Sequence, residues 1–126
     1  MGTFKSFEEI EAWKAARELT CQIYVLTKGL PFARDWGLKD QICRAAASIM
    51  SNIAEGYESQ TETVFMRHLG IAKGSAGEVR SQLYVALDQN YISKSEFESL
   101  SQLSMKISRQ LSRFKEYLER CHPRDL

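Results

Sequence analysis

The sequence predicts an all-α protein, an antiparallel up-down-up-down four-helix bundle. Four segments repeat apolar residues every three or four positions, which is the period of an amphipathic helix. Seven glycines and two prolines in 126 residues are too few for a loop-rich β-sandwich. The connections between the segments are short, which favours antiparallel neighbours. We expect one domain over residues 1–126, with helices at about 7–29, 38–57, 62–89 and 94–120.

Local signals place the ends of these helices. Ser6 and Glu9 have the spacing of a capping box, and so do Ser93 and Glu96. We expect each serine hydroxyl to accept a hydrogen bond from the amide three residues later, so that the first and fourth helices begin there. Gly56 lies near the predicted end of the second helix.

Each helix has an apolar stripe that predicts its contribution to the core. The third helix has the clearest stripe, with spacings of 4, 3, 4, 3, 4 and 3 residues, which is typical of helices that pack at shallow angles. In chain order, the stripes are Ile10, Trp13, Ala16, Thr20, Ile23 and Leu26; Leu38, Ile42, Ala45, Ile49 and Ile53; Phe65, Leu69, Ala72, Ala76, Val79, Leu83 and Ala86; and Phe97, Leu100, Leu103, Ile107, Leu111, Phe114 and Leu118.

Composition limits the classes of function. The formal net charge is +1 at pH 7, so bulk electrostatic attraction does not by itself explain nucleic-acid binding. The chain has no run of about 18 apolar residues, so we expect neither a membrane-spanning helix nor a membrane partner. The three cysteines are odd in number and widely spaced, which does not indicate a disulfide framework. We therefore expect a cytoplasmic protein.

The second helix carries a polar edge beside its apolar stripe. Arg44, Ser48, Asn52 and Glu55 are spaced 4, 4 and 3 residues apart and share one face. One interpretation is a hydrogen-bonded seam in which Arg44 pairs with a carboxylate, either Glu55 or Glu78. The other interpretation is a contact with a ligand or with RNA.

Three glycines fall within the third helix, where each costs roughly 1 kcal/mol relative to alanine. Gly70, Gly74 and Gly77, followed by Ser81, lie on the side opposite the apolar stripe. A face without side chains lets another backbone approach closely, and we favour a second copy of the chain as that neighbour. A local kink or a nucleic-acid backbone is the alternative.

The fourth helix has a basic stripe. Residues 99–115 include no acidic side chain, and four basic side chains of this helix fall on one face. Such a stripe is either a solvated surface or a surface that contacts phosphates. The candidate nucleic-acid-binding residues are Lys106, Arg109, Arg113 and Arg120, together with Lys73 and Arg80 on the third helix.

Signatures of catalysis are missing. The chain has no Gly-rich phosphate loop, no His-Glu-x-x-His and no Cys-x-x-Cys. Its two histidines, His68 and His122, do not form a metal-binding motif. A carboxylate pair of Glu55 and Glu78 is the remaining catalytic interpretation, and we favour structural ion pairs instead. We expect no catalytic residue, no metal site and no cofactor.

Three stretches resemble the 23S rRNA-intervening sequence protein family. Residues 7–16 are similar to its first helix, residues 37–56 end in Asn-Ile-Ala-Glu-Gly, and residues 72–75 read Ala-Lys-Gly-Ser. The resemblance implies a small bacterial cytosolic four-helix bundle that assembles as a ring-like homopentamer, without an accepted catalytic site. The polar positions that match the family pattern are Arg44, Ser48, Asn52, Glu55, Lys73, Gly74, Ser75 and Glu78.

The resemblance also bears on partners. More distant relatives, the accessory proteins of diversity-generating retroelements, resemble basic pentamers that engage RNA and a reverse transcriptase. Ser59 and Gln60 fill a turn where many relatives carry arginine. We interpret the chain as a non-enzymatic, self-associating helical scaffold that binds RNA. The alternative is a protein–protein assembly module that docks a partner enzyme and does not contact nucleic acid.

Overall fold

The computed structural model describes residues 4–121 and forms four long helices. Short 3-10 turns precede the first two helices, and no strand occurs in the described part of the chain. The predicted all-α class is confirmed. The helices are α1 (Glu11–Thr27), α2 (Trp36–Glu58), α3 (Glu62–Asp88) and α4 (Lys94–Cys121), and the 3-10 turns are Phe7–Glu9 and Phe32–Arg34.

Successive helices run antiparallel around one core. In the pairs α2–α3 and α3–α4, residues near the start of one helix contact residues near the end of the other. The contacts that define these directions are Gln41–Gln82, Ser48–Ser75 and Asn52–His68 between α2 and α3, and Tyr84–Phe97 and Phe65–Phe114 between α3 and α4. α4 returns beside α1, where Ala12 and Gln110 line one cavity and Val25 and Ser99 line another.

The core forms where the predicted apolar stripes meet. Every predicted stripe residue of α2 and α3 is buried. In α4, Leu100, Ile107, Leu111 and Leu118 are buried, and the other three stripe residues are half-buried. The 3.6-residue period therefore identifies the inner face of these three helices.

The buried face of α1 differs from the predicted one. Trp13, Thr20 and Leu26 are half-buried, whereas Ala12 and Leu19 are buried. α1 packs against both α2 and α4, so its buried face is wider than a single stripe. Small side chains at positions 12, 15 and 16 form the centre of that face, and the larger Trp13 ring lies at its margin.

The predicted capping box at Ser6 is wrong. The Ser6 side chain caps no amide, and α1 begins at Glu11 rather than near residue 7. The Ser6 carbonyl accepts the Glu9 amide at 3.2 Å in the 3-10 turn, and the backbone of Ile10 is extended before the helix starts. The Glu9 carboxylate accepts the Lys5 amide at 3.0 Å, not the Ser6 amide.

α2 and α4 begin at side-chain caps. The predicted box at α4 is confirmed, because the Glu96 amide donates to Ser93 Oγ at 3.0 Å and the Ser93 amide donates to the Glu96 carboxylate at 2.8 Å. At α2, Asp35 accepts the Leu38 amide at 3.1 Å and the Tyr91 hydroxyl at 3.0 Å. The hydrogen bond to this carboxylate raises the pKa of Tyr91 above its ordinary value. The same bond joins the α1–α2 and α3–α4 connections at one end of the bundle.

α2 and α3 approach each other closely at Gly56. A Cβ atom built on Gly56 would lie 2.8 Å from Cβ of His68 and 2.8 Å from the ring of Phe65. Gly56 is buried, so these neighbours have little room to move away. The missing side chain at this position therefore sets the spacing of the two helices.

We expect Gly56→Ala to lower the free energy of unfolding by about 1–3 kcal/mol, because overpacking a core costs about that much. Gly37→Ala is the matched control, since Gly37 is exposed and its nearest neighbour would lie 3.9 Å from the new Cβ. Urea denaturation followed by circular dichroism measures both changes. Equal effects at the two positions would contradict the close approach at Gly56.

Candidate functional site

A chain of hydrogen bonds runs between α2 and α3. Ser48 Oγ and Ser75 Oγ are 3.0 Å apart. The side-chain amide of Asn52 donates to the Ser48 carbonyl at 2.9 Å and to Ser48 Oγ at 3.0 Å. The carbonyl oxygen of Asn52 lies 2.9 Å from Nδ1 of His68. This polar seam links two residues of the predicted polar edge to two residues of α3.

The hydrogen bonds of Asn52 determine the tautomer of His68. Because Nδ2 of Asn52 donates to Ser48, its Oδ1 is the acceptor, and Nδ1 of His68 carries a proton. Glu55 Oε2 lies 4.0 Å from the same nitrogen, and the Glu55 side chain is 67% exposed. The side chains of Ser48 and Asn52 thus find their partners within the bundle, which supports the hydrogen-bonded interpretation of the polar edge.

Arg44 does not join this seam. Its Nε lies 3.0 Å from Oδ2 of Asp40, and its side chain is 80% exposed. The predicted pairing of Arg44 with a carboxylate is confirmed, but the two candidate partners, Glu55 and Glu78, are wrong, because Asp40 is available one turn earlier on the same exposed face. Glu78 instead accepts from Nε2 of Gln82 at 3.3 Å.

Glu55 and Glu78 lie at different levels of the bundle. Glu55 is level with His68, and Glu78 is ten residues further along α3. At 1.5 Å per residue this separation is about 15 Å. The two carboxylates therefore do not form the close pair that acid–base catalysis by two carboxyl groups requires.

The glycine face is the outer surface of α3 at Gly70, Gly74, Gly77 and Ser81. Gly74, Gly77 and Ser81 are exposed. Apart from the adjoining residues and backbone of α3 itself, no heavy atom of the described chain lies within 4 Å of a Cβ built on Gly74 or Gly77, and at Gly70 the nearest is Nζ of Lys115 at 3.6 Å. Packing within residues 4–121 therefore does not explain the absence of side chains at Gly74 and Gly77.

A basic groove lies between α3 and α4. Lys73 of α3 and Ser108, Arg109, Ser112 and Arg113 of α4 line a cavity of about 310 Å³. The three cationic side chains are exposed, and none forms an ion pair with another described residue. The fold thus brings together three basic residues that the sequence places on two different helices.

The other three candidate basic residues lie elsewhere. Lys106 and Arg120 are exposed on α4, Arg80 is half-buried on α3, and none of them lines the basic groove. Lys106 precedes Arg113 by seven residues, so the two side chains point within about 20° of each other, and Lys106 lies about 10 Å earlier along the axis of α4. The groove therefore takes up only the middle of the predicted stripe of α4, at Arg109 and Arg113.

Two residues of the α2–α3 interface were not predicted from the sequence. His68 contacts Asn52, and Gln82 is buried with its Nε2 3.4 Å from Oε1 of Gln41. His68, Ser75 and Gln82 recur every seven residues, which is the signal that places them on one face of α3. This heptad lies beside the apolar stripe, and its polar members face α2.

Residues 4–121 contain no group of three or more side chains that could hold a metal ion. None of the described helices is long and apolar enough to cross a membrane. His122 lies outside the described residues.

We expect Asn52→Ala to lower the free energy of unfolding by about 1–3 kcal/mol, because it removes the partner of Ser48 and His68 in a half-buried seam. Arg44→Ala on the same helix is the control, since an exposed ion pair contributes about 0–1 kcal/mol. Thermal denaturation at pH 7.5 compares the two variants. A loss at Asn52 no larger than the loss at Arg44 would contradict a stabilising role for the seam.

Comparisons with known proteins agree with this architecture. A solved structure of a protein with unknown function from the S23 ribosomal protein family of Bacteroides thetaiotaomicron is similar, with a TM-score of 0.77 and 24% sequence identity. The similarity covers 83% of this chain and 95% of that chain, and it supports the fold. No curated protein matches the chain. The family model described as 23S rRNA-intervening sequence protein matches residues 8–113, and the chain therefore belongs to that family.

Proposed function

We propose that this chain is a non-catalytic scaffold that self-associates through the glycine face and binds RNA through its basic side chains. The observation that carries the proposal is the open space above Gly74 and Gly77, where no described atom beyond the adjoining part of α3 lies within 4 Å of a built Cβ. The family description, which names an intervening sequence of ribosomal RNA, supports RNA as the partner. The free cysteines support a reducing compartment, the cytoplasm.

Self-association accounts for the glycines better than the isolated chain does. Each glycine within a helix costs roughly 1 kcal/mol relative to alanine, and packing inside the chain does not recover this cost at Gly74 or Gly77. Exposed apolar side chains border the same surface, at Ile71, Tyr84 and Val85. A second copy that packs against the glycine face would bury these side chains and approach the backbone of α3 closely.

The number of copies follows from the family resemblance, which favours a ring of five. A ring forms when one surface of each copy contacts a different surface of the next and the rotation closes. The glycine face is one of these two surfaces. The ring matters for function because each copy contributes the same basic side chains, so that one assembly presents several identical basic surfaces.

RNA binding by a single copy is expected to be weak. The formal net charge is +1, and the candidate basic side chains are mostly exposed, so salt screens their attraction to phosphates. Repetition around a ring raises the effective concentration of sites along one strand. Affinity therefore depends on assembly as well as on the basic residues themselves.

The arrangement of acidic residues supports a role without catalysis. Glu55 of α2 and Glu78 of α3 are exposed and are separated by about 15 Å along the bundle, and the His68 proton at Nδ1 is held by Asn52. The polar seam holds the helices together and presents no group of residues arranged for bond cleavage.

We expect Gly74→Leu to reduce the mass of the assembly, because the new side chain fills the space that a second copy needs. Multi-angle light scattering measures this mass. Ser51→Leu, on the exposed surface of α2, is the control that adds the same side chain elsewhere. The fold of the single chain should persist, since leucine has a higher helix propensity than glycine. An unchanged mass in Gly74→Leu would refute the glycine face as an interface.

We expect RNA affinity to fall steeply with added salt, because each neutralised phosphate of a single strand contributes about −0.7 to the slope of log K against log salt. The double variant Arg109→Glu/Arg113→Glu should bind more weakly and with a shallower slope. Lys28→Glu/Lys94→Glu is the control, with the same charge change at exposed positions away from the groove. Fluorescence anisotropy of a labelled oligonucleotide measures these constants. A flat salt dependence would count against RNA binding and favour the protein-docking module.

A further inference from the structure

We infer that the basic groove between α3 and α4 is a binding site for a phosphate monoester group. The groove is the cavity lined by Lys73, Ser108, Arg109, Ser112 and Arg113. Where RNA carries the monoester, the inference rests on the proposed function and makes it more specific. It identifies the phosphorylated end of the strand as the part that binds in the groove. The same group also occurs on small phosphorylated molecules, and the experiment below separates these two sources.

The charge of the groove favours an anion. Lys73, Arg109 and Arg113 lie around one cavity, and none of its described lining residues is acidic. None of the three cations is neutralised by an ion pair with a described residue. Three like charges around one cavity repel each other, and an anion that binds between them offsets this repulsion. Two acidic residues, Glu116 and Glu119, line the adjoining cavity that Lys73 and Ser112 also line.

The donors of the groove suit phosphate oxygens. Each guanidinium group offers paired N–H donors in a plane, which matches two oxygens of one phosphate. Ser108 and Ser112 are one turn apart on the side of α4 that faces Lys73, and their hydroxyl groups add two further donors. The residues therefore supply more hydrogen-bond donors than the two oxygens of a single carboxylate accept. A phosphate group has more oxygens, arranged tetrahedrally, and can accept from more of these donors.

The size of the groove allows an organic ester. Its cavity of about 310 Å³ is several times the roughly 30 Å³ that one water occupies in the liquid. The small serine side chains leave this space open along α4. A phosphate group can therefore bind with the first part of its ester attached, as at the 5′ end of a strand.

The number of cations favours a monoester over a diester. A phosphate monoester has its second pKa near 6 and carries close to two negative charges at pH 7.5, whereas an internal diester carries one. The Coulomb energy scales with the product of the charges, so the same three cations attract the monoester about twice as strongly. The groove therefore prefers the terminal monoester of a strand to any one of its internal diesters.

The test compares two RNA decamers of one sequence, one with a 5′-phosphate and one with a 5′-hydroxyl, each labelled at the 3′ end. We expect the full-length protein to bind the phosphorylated strand about 5- to 10-fold more tightly at pH 7.5, the effect of adding about one ordinary hydrogen bond at an exposed site. The preference should shrink below pH 6, where the monoester loses its second charge. Arg109→Gln and Ser112→Ala should each reduce it, whereas Lys106→Gln, outside the groove, should weaken both strands equally.

A second arm tests the free form of the ligand. Inorganic phosphate is titrated against chloride at equal ionic strength, and the amide resonances of residues 108–113 are followed by NMR. Saturable chemical-shift changes that Arg109→Gln abolishes support the groove, even if neither RNA binds. A lack of RNA binding would contradict the RNA part of the proposed function and leave the phosphate site intact. Equal binding of the two strands overturns the monoester site while leaving RNA binding intact. No saturable shift with phosphate and no preference between strands overturns the inference.

Discussion

The rotation of α3 about its own axis is the constraint on which the other features depend. Its apolar stripe fills the core, and its polar heptad of His68, Ser75 and Gln82 pairs with α2. Gly56 lets the two helices approach so closely that a Cβ atom would not fit between them. A rotation of α3 by one residue would break the seam and expose part of the core, so the inner face has one stable orientation.

The outer surface of the bundle follows from this orientation. With its inner face fixed, α3 turns Gly74 and Gly77 to the outside and Lys73 towards α4. Lys73 there lines the same cavity as Arg109 and Arg113. The result is a basic groove beside the glycine face. Gly70 also lines a cavity with Lys73 and Lys115, so the two surfaces share an edge. A copy docked on the glycine face and an anion in the groove would therefore be neighbours.

The sequence predicts the helices and most of the core because both depend on local periodicity. The sequence predicts hydrogen-bond and ion-pair partners less well, because several candidates compete for the same donor. The Ser6 box has the same spacing as the Ser93 box, but a 3-10 turn uses the Glu9 amide first. Arg44 likewise finds Asp40 one turn away, and the sequence alone does not rank that neighbour above the distant carboxylates.

The groove shows why the site was harder to predict than the fold. Arg109 and Arg113 are recognisable as a stripe on α4, but their association with Lys73 depends on which sides of α3 and α4 face each other. Lys106 and Arg120 belong to the same stripe but do not line the groove. The His68 partner of Asn52 also requires the pairing of two helices, and a single histidine carries no motif of its own.

The central claim is that the outer face of α3 is left bare for another copy of the chain. Sedimentation equilibrium of the unmodified protein, over a wide range of concentrations, tests it most directly. The account predicts a discrete species whose mass is a multiple of that of one chain, with five copies as the expected number. A single chain at every concentration would contradict it.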